Sequence, residues 1–583
     1  MKKERRTWLL PEPLRALPGL EAYSPVFRQI LHGRSVTQPR QLDPWLVSDL
    51  GQAPDPFLLK DMTIACDLIG DAVKAGRRIA VYGDYDADGV TACVTLARGL
   101  RSAGADVVTY IPNRFTEGYG LNGEALKELA SRGVSLVISC DCGTNSVEVA
   151  HGRPAGMQLI VTDHHEVGAE RPPVDALINP KQPDCAYPFD GLAACGVAYK
   201  LLVALERRVF PGQLDPTASL DAVALGTVAD VVPLHAENRA IVRAGLQRLT
   251  ESPGHGCKAL LAVANIKGPV TAEHLAFQLG PRINAAGRME DAVLALDLLM
   301  ADSREAAEPM AARLHEQNAQ RQQLTAEIVR QAKAQVAELG DDAPVIVMGA
   351  QDWPLGVLGL AASRLVEEFY RPTFIFNMEG DEWRGSARSI EGFHLVDCLQ
   401  HCAPLLHRFG GHAMAAGLTV RREQFPALQE CLRDYAAQRL DRVAFSRPIK
   451  VEATASLADL KPSLHQEIQM LAPFGVGNRE PLLISRGVEV LRAETFGTGA
   501  RHLRLQLKDQ TASAEAFAFD KGSSAAHLPR GRRIDLVYGL DCERWDGLDR
   551  VRLHLKDLRP SAEPVVVPLD SGIALRNQTP VLR

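Results

Sequence analysis

Residues 78–89 read Arg-Ile-Ala-Val-Tyr-Gly-Asp-Tyr-Asp-Ala-Asp-Gly, an apolar run that changes abruptly into alternating aspartates. The apolar part, residues 78–82, is typical of a buried strand, because it is short, rich in strand-forming residues and followed by glycine. In open parallel α/β sheets, functional groups collect where the strands end. Asp84, Asp86 and Asp88 therefore mark the carboxyl end of a predicted strand as a candidate site.

Two further runs have the same form. Residues 136–139 (Leu-Val-Ile-Ser) lead to Asp141, and another apolar run leads to the triplet Asp-His-His at 163–165. Carboxylates and imidazoles gathered at neighbouring strand ends would repel or stay poorly solvated unless a cation joined them. Mixed carboxylate and imidazole ligands suit Mg2+ or Mn2+. The pattern therefore predicts a metal-dependent phosphoryl enzyme.

The spacing of the aspartates suggests how two ions could be held. Asp86 and Asp88 can reach different ions if the turn points both side chains inward, and we attribute that turn to the freedom of Gly89. Asp141 is our choice for the carboxylate shared by the two ions, since it arises from the neighbouring strand end. Asp84 is a third ligand or a partner outside the coordination sphere.

The adjacent imidazoles of the triplet should diverge. One of His164 and His165 can bind metal while the other donates a hydrogen bond to a substrate phosphate, and Asp163 can orient an imidazole. Taken alone, an Asp-x-Asp-x-Asp run is often a solvated loop or a calcium site, although this one lacks the glutamate of an EF-hand. A lone His-His pair is more often a packing or surface pair, but the three runs together favour a metal site.

The bulk composition is that of an ordinary globular protein. The chain has 583 residues, 46% of them hydrophobic, and a formal net charge of -6, which excludes a general affinity for polyanions. Any nucleic-acid surface must therefore be local. We see neither a signal peptide nor an apolar run long enough to span a membrane, and we expect a cytoplasmic protein.

Strands and helical patterns alternate over residues 56–290, which predicts a doubly wound parallel sheet. Residues 1–55 are proline-rich, and we expect a lead-in segment that wraps this first domain.

The remainder of the chain changes character twice. Residues 291–340 predict a long connecting helix whose second half begins or kinks at Pro309. A second α/β domain is expected over 341–445. Alternating patterns over 446–560 predict a small OB-like β-barrel, and 561–583 form a tail.

The motifs closely resemble those of the DHH phosphoesterase family, which takes its name from the Asp-His-His triplet. All four family motifs are present, the fourth being Leu-Gly-Thr-Val-Ala-Asp at 225–230. The resemblance implies that His165 contacts the scissile phosphate and that Asp141, His164 and His165 form the catalytic group. It also implies a set of metal ligands, namely Asp86, Asp88, Asp141, His164 and Asp230, with Asp84 beside them.

Three further runs, at 280–288, 385–389 and 474–478, resemble nuclease members of the family, and 410–412 resembles the nucleic-acid-binding signature of the associated DHHA1 domain. Arginine is always charged and binds phosphate through two hydrogen bonds, and glycine permits a close approach. The candidate contacts to nucleic acid are Arg282, Asn284, Arg288, Ser386, Arg388, Gly410, Gly411 and His412.

The resemblance implies an exonuclease that degrades single-stranded DNA from its 5′ end to 5′-mononucleotides with two Mg2+ or Mn2+ ions. It further implies work in recombination and repair beside a single-strand-binding protein and a RecQ-type helicase, and we expect a monomer. One alternative is a DHH phosphodiesterase for short oligoribonucleotides or cyclic dinucleotides. Such an enzyme would not need the OB-like barrel to bind an extended strand. The other is a catalytically inactive DHH scaffold in a replication complex, which should have lost ligands.

Overall fold

The computed structural model describes residues 5–14, 17–46, 49–340, 343–440, 445–545 and 548–561, so the predicted tail lies outside the described residues beyond Ser561. The chain divides into two compact units. Of the described residues, the first unit contains 49–440 and 473–478, and the second contains 5–46, 445–472 and 479–561.

The first unit is built on a parallel sheet, as the sequence predicts. Its strands pair in the order β2-β1-β3-β4-β5. Their bounds are β1 Arg78–Tyr82, β2 Val107–Tyr110, β3 Val134–Cys140, β4 Gln158–Thr162 and β5 Ala176–Ile178.

Alternate residues of β1 enter different cores, which is the physical basis of the double winding. Ile79 and Val81 join one core cluster, while Ala80 and Tyr82 join the other. Both faces of the sheet are therefore buried. Helices that contribute residues to these clusters include Met62–Lys74, Ala87–Ser102, Gly123–Ser131, Val147–His151, Ala194–Arg208 and Leu220–Ala229.

A helical section follows the sheet. It comprises Ala236–Glu251, His255–Val263, Ala272–His274, the π-helical turn Leu275–Leu279, Gly280–Met289, Val293–Met300 and Arg304–Glu338. The wide turn precedes Pro281, whose ring would clash with the carbonyl four residues earlier in a regular α-helix.

Of the two alternatives predicted for Pro309, that it begins or kinks the second half of the helical stretch, the first is wrong, because the long helix starts upstream of Pro309. It begins at Arg304, where the Ser303 side chain accepts a hydrogen bond from the Ala306 N–H, and it includes Pro309. A separate helix, Val293–Met300, precedes it. The N-cap therefore sets the start of the long helix, and the proline lies within it.

A second sheet completes this unit and mixes parallel and antiparallel pairs. Its order is β9-β10-β8-β7-β6, and only β6 and β7 are parallel to each other. The strands are β6 Ile346–Ala350, β7 Thr373–Asn377, β8 Glu382–Arg388, β9 Arg408–Gly411 and β10 Ala415–Arg421. Helices Leu355–Phe369, Leu395–His401 and Phe425–Arg439 belong to the same domain.

The second unit contains the predicted β-barrel. Five strands close on themselves because the first also pairs with the fourth, and Ala453–Thr454 adds to one edge. The five are Leu483–Phe496, His502–Lys508, Ser513–Ala518, Arg533–Trp545 and Leu548–Pro560.

The N-terminal segment packs in the second unit, whereas the sequence interpretation had placed it around the first domain. Strand Arg5–Leu9 pairs in parallel with Ser446–Lys450. Trp8 is buried in a cluster with Val451, Ile484 and Val537. Such a pairing between distant segments leaves no local pattern in the sequence. Helices Pro25–Gly33, Pro39–Leu46 and Pro462–Gln469 also belong to this unit.

Within the described ranges, no helix is long and apolar enough to cross a membrane.

We expect Gly256→Ala to destabilise the first unit. A Cβ at this position would lie 2.1 Å from the Leu298 carbonyl oxygen, which is backbone and has little freedom to move. Overpacking of this kind costs about 1–3 kcal/mol, which lowers the melting temperature by about 2–12 °C. Differential scanning calorimetry measures the shift. The matched control is Gly123→Ala, where a Cβ meets nothing within 4 Å; an equal loss in both variants would contradict the packing argument.

Candidate metal centre

The aspartate loop after β1 is held by the helix that follows it. The Asp86 carboxylate accepts hydrogen bonds from the N–H groups of Asp88 and Gly89, at 2.9 and 3.1 Å, and so caps helix Ala87–Ser102. The buried Asp88 carboxylate accepts from Ala194 N and Cys195 N, at 2.7 and 2.9 Å, at the start of another helix. Helix N-termini favour negative charge. Two helices thus orient this loop.

Gly89 is required for a different reason from the one that the sequence suggested. It lies inside the helix, and its backbone does not adopt a left-handed conformation. A Cβ there would lie 2.5 Å from Asp84 N and 2.6 Å from Asp84 O. Glycine is needed because the helix passes directly over the Asp84 backbone.

Asp141 lies just beyond the end of β3 in a strained conformation. Its φ is +65°, which is rare for a residue with a Cβ and is concentrated at functional sites. Its Oδ1 is buried without a hydrogen-bond partner, and the same is true of Asp84 Oδ1. Two buried, unpartnered carboxylate oxygens are costly unless something positive binds them.

The predicted ligands converge on this point. His164 Nε2 lies 3.2 Å from Asp141 Oδ1, 3.6 Å from Asp230 Oδ2 and 3.8 Å from Asp88 Oδ2. Three groups have ligand atoms within 4.8 Å of one another and could each hold an ion: Asp84–Asp86–Asp141, Asp88–His164–Asp230 and Asp141–His164–His165. Asp86 and Asp88 fall in different groups, and Asp141 belongs to two.

The two imidazoles do have different surroundings. His165 Nδ1 lies 2.8 Å from Asp163 Oδ1, so the carboxylate orients His165 rather than His164. Asp163 also accepts hydrogen bonds from the N–H groups of Thr144, His164 and His165. The hydroxyl of Tyr119 donates to the carbonyl of Asp141 at 3.1 Å and lies 3.3 Å from the His165 ring nitrogens.

Charge crowding is the dominant electrostatic feature. Burial, followed by the neighbouring carboxylates, raises the pKa of Asp141 well above its ordinary value, and burial and Asp86 do the same for Asp84. Burial also raises the pKa of Asp88. For Asp230, burial and the charges of Asp88 and Asp86 raise the pKa to about 9. Cations would relieve this penalty, so the donor set fits divalent ions.

The pKa values of the two histidines shift in opposite directions. Burial lowers the pKa of His164, which keeps its imidazole neutral and available as a ligand. Burial also opposes charging of His165, but the hydrogen bond and charge of Asp163 outweigh it and raise the pKa. Asp163 itself has a pKa below its ordinary value, because its hydrogen bonds and the imidazole charges overcome burial.

An arginine cluster adjoins the acidic one. Burial and the like charges of Arg114, Arg321 and Arg388 lower the pKa of Arg288 to about 10, and the charge of Asp86 opposes this shift. Burial and Arg114 likewise lower the pKa of Arg388. In the described part of the chain, none of the four guanidinium groups forms an ion pair with a carboxylate. Positive charges that are crowded and unpaired indicate an anion site.

Sequence reasoning missed Arg114, Arg321 and Tyr119. Arg114 and Tyr119 lie on the loop after β2, where Gly118 and Gly120 on either side of the tyrosine were the available signal. Arg321 lies on the long helix Arg304–Glu338, whose many charged residues gave no reason to single it out.

The predicted nucleic-acid contacts have varied surroundings. Arg288 donates to the Gly356 carbonyl at 3.2 Å, and Arg388 donates to Ser386 Oγ at 3.2 Å. Asn284 has a structural partner, since its Oδ1 accepts from Ala87 N at 2.8 Å and thereby ties helix Gly280–Met289 to the aspartate loop.

The other predicted contacts have local partners. Arg282 donates to the Gln278 carbonyl and lies 3.1 Å from His315. Gly410 and Gly411 end β9, and His412 follows in the exposed turn to β10, where its N–H donates to Ala415 O. Among the described residues, none of the metal-cluster side chains hydrogen-bonds to this turn.

Comparison with protein families gives three matches along the chain. Residues 78–227 match the N-terminal domain of the DHH family, 342–438 match the DHHA1 domain and 451–557 match the RecJ OB domain. These ranges correspond to the parallel-sheet domain, the mixed-sheet domain and the barrel.

Curated relatives carry the description single-stranded-DNA-specific exonuclease RecJ. The Salmonella typhimurium protein is 33% identical, over 92% of this chain and 96% of its own length. The Bacillus subtilis protein is 38% identical over 86% of this chain, which spans 64% of that longer protein. The crystal structure of Thermus thermophilus RecJ with Mn2+ has a TM-score of 0.81 at 31% identity, covering 97% of this chain and 80% of that one. The chain therefore belongs to the RecJ family of single-stranded-DNA-specific exonucleases, within the wider DHH family.

Proposed function

We propose that this chain removes nucleotides from the 5′ end of single-stranded DNA and releases 5′-mononucleotides, using two Mn2+ or Mg2+ ions. The observation that carries the proposal is the pairing of two clusters of opposite charge. Buried carboxylates with unpartnered oxygens adjoin four arginines without carboxylate partners. Cations on one side and guanidinium groups on the other suit a phosphodiester between them.

The ligand sets follow from the groups that the fold brings together. Asp84, Asp86 and Asp141 would hold one ion, and Asp88, His164 and Asp230 the other, with Asp141 shared. Two divalent ions about 4 Å apart activate a water and stabilise the attacking and leaving oxygens at phosphorus. Structures of the Thermus thermophilus relative contain Mn2+ in one case and Mg2+ in another.

His165 is the residue suited to the substrate. Its side chain is about one-third exposed, whereas that of His164 is nearly buried. Asp163 holds its Nδ1 side, which leaves the rest of the ring to donate to a phosphate oxygen as charge develops. Asp163 and Tyr119 position this imidazole, and the arginine cluster binds the phosphate groups of the strand.

The direction of attack rests on the family resemblance. A single-strand-binding protein and a RecQ-type helicase as partners, a monomeric state and a cytoplasmic location also stay predictions. The alternative of a phosphodiesterase for short oligoribonucleotides or cyclic dinucleotides has no support among the curated relatives. The inactive-scaffold alternative requires lost ligands, and every predicted ligand is present in the sequence.

The direction of degradation is tested with single-stranded oligonucleotides that are labelled at the 5′ end or at the 3′ end. We expect label at the 5′ terminus to appear at once as mononucleotide, and label at the 3′ terminus to pass through progressively shorter strands. A chelator should stop both reactions. Gel analysis of time courses gives the answer, and a matched duplex is the control. Immediate mononucleotide from the 3′ label would contradict the proposed direction.

Asp141→Asn tests the metal site through stability as well as activity. The folded-state pKa of Asp141 is raised, so its contribution to stability is present below about pH 4 and is lost as the pH rises toward that folded-state pKa. At neutral pH in chelator, the variant should therefore melt several degrees higher than the natural protein. With Mn2+ the order should reverse, and cleavage should be abolished while single-stranded DNA still binds.

The control for this experiment is Asp67→Asn. Asp67 is exposed and bonded to Arg208, and its pKa is lowered. This change should leave both the Mn2+-induced shift in melting temperature and the cleavage rate intact. An Asp141→Asn protein that retains the full Mn2+ shift would remove Asp141 from the ligand set.

Arg388→Ala tests the arginine cluster. Each phosphate contact on a single strand contributes about 0.7 to the slope of log K against log salt. We expect weaker binding and a slope reduced by about that amount, measured by fluorescence anisotropy in chelator. Arg330→Ala is the control, because Arg330 is exposed and paired with Glu327. An unchanged slope for Arg388→Ala would show that Arg388 contacts no phosphate.

A further inference from the structure

The loop between β2 and helix Gly123–Ser131 presents one aromatic side chain next to the metal centre. Tyr119 is flanked by Gly118 and Gly120, whose φ angles are +84° and +91°. These left-handed conformations, which glycine adopts freely, project the tyrosine out of the loop. Its residue surface is 55% exposed, a large fraction for an aromatic side chain.

The loop that carries Tyr119 is internally braced. The Glu117 carboxylate accepts hydrogen bonds from the hydroxyl of Tyr110 and from Asn113 N, both at 2.7 Å. The hydroxyl of the buried Tyr82 donates to the Gly120 carbonyl at 3.0 Å. The exposed ring is therefore held in place before any ligand arrives, which lowers the entropic cost of binding.

Tyr119 is anchored at one end and open along its ring. Its hydroxyl donates to the carbonyl of Asp141, the carboxylate at the middle of the cluster. The ring centroid lies 5.7 Å from that of His165 and 6.5 Å from that of Tyr85, at steep interplanar angles of 65° and 76°. Neither neighbour stacks on it in parallel, so a flat group can.

The surroundings define which flat group fits. Arg114 lies over the Tyr85 ring at 5.0 Å from its centroid and belongs to the arginine cluster suited to phosphates. His165, whose ring is also a neighbour of Tyr119, faces the scissile phosphate in the proposed function. An aromatic face that adjoins both a phosphate-binding arginine and the reacting centre suits a nucleotide, whose base stacks on the ring while its phosphate meets the arginine.

We propose that Tyr119 is a stacking platform for the unpaired nucleobase next to the scissile phosphate, and that this contact sets the register of the strand over the metal centre. The proposal rests on the proposed function and deepens it. A base in a duplex is already stacked and paired, so the platform also favours single strands. Stacking on an aromatic side chain contributes about 5- to 150-fold per base.

The test is a double-mutant cycle between the side chain and the base. Oligonucleotides with a 5′-phosphate carry either normal nucleotides or an abasic residue at the first or the second position. Single-turnover cleavage and, in chelator, equilibrium binding are measured for the natural protein, Tyr119→Ala and Tyr119→Phe. In the natural protein, one of the abasic positions should lower the single-turnover cleavage rate at subsaturating enzyme, and the affinity, by at least about 5-fold.

Loss of the ring should remove this dependence. Tyr119→Ala should lose a similar factor on the normal strand and be indifferent to the abasic residue, while Tyr119→Phe should keep the dependence. Phe115→Ala, which removes another exposed ring of the same loop, should also keep it. A Tyr119→Ala protein that still discriminates against the abasic strand overturns the proposal.

Two outcomes distinguish failure of the stacking proposal from failure of the exonuclease proposal on which it rests. If the natural protein cleaves single strands but ignores the abasic residue at both positions, the stacking role is wrong and the exonuclease assignment stands. If it cleaves no single strand, both are wrong. If Tyr119→Ala fails to fold, the natural protein is tested on strands that carry adenine, thymine or an abasic residue at the stacking position. Stacking requires the cleavage rate to be highest with adenine, lower with thymine and lowest with the abasic residue. Equal rates overturn the proposal.

Discussion

Five carboxylates lie close together at a mostly buried site, and their mutual repulsion is the constraint around which the first unit is organised. Burial and like charge raise the pKa of those at the middle of the cluster. Local features of the fold hold these carboxylates in place. These are two helix N-termini and a left-handed backbone at Asp141. Divalent cations bound among these carboxylates would replace the repulsion by attraction.

The arginine cluster beside the carboxylates makes the site asymmetric in charge. Arg288 and Arg388 are half-buried and are crowded by other guanidinium groups, which is unfavourable unless an anion binds there. A phosphodiester bound between the clusters satisfies both. Substrate binding and metal binding are therefore expected to reinforce each other, since each ion added makes the site more attractive to phosphate.

The sequence was sufficient to predict the metal-dependent chemistry and most of the fold. A strand that ends in acidic residues is a local pattern, so the Asp84–Asp88 loop and Asp141 could be placed at the edge of a sheet from the residues alone. Asp230 required the family resemblance, because it follows a helix and an isolated aspartate there carries no signal. The pairing of Arg5–Leu9 with Ser446–Lys450 is a contact between remote segments, and no periodicity could reveal it. Gly89 was singled out for the wrong reason, since close approach of a backbone has no signature apart from the glycine itself.

Glycine contacts also explain how the two α/β domains of the first unit share one site. A Cβ at Gly287 would lie 2.6 Å from Tyr85 O, in the aspartate loop, and one at Gly356 would lie 2.4 Å from Arg288 O. Gly359 leaves the same kind of space for the guanidinium group of Arg388, whose nitrogen lies 2.6 Å from the position of a Cβ. A single methyl group at any of these points would push an arginine or its helix away from the acidic cluster. The distance between the arginine cluster and the acidic cluster is therefore set by rigid backbone packing. The long arginine side chains are flexible and could not set it.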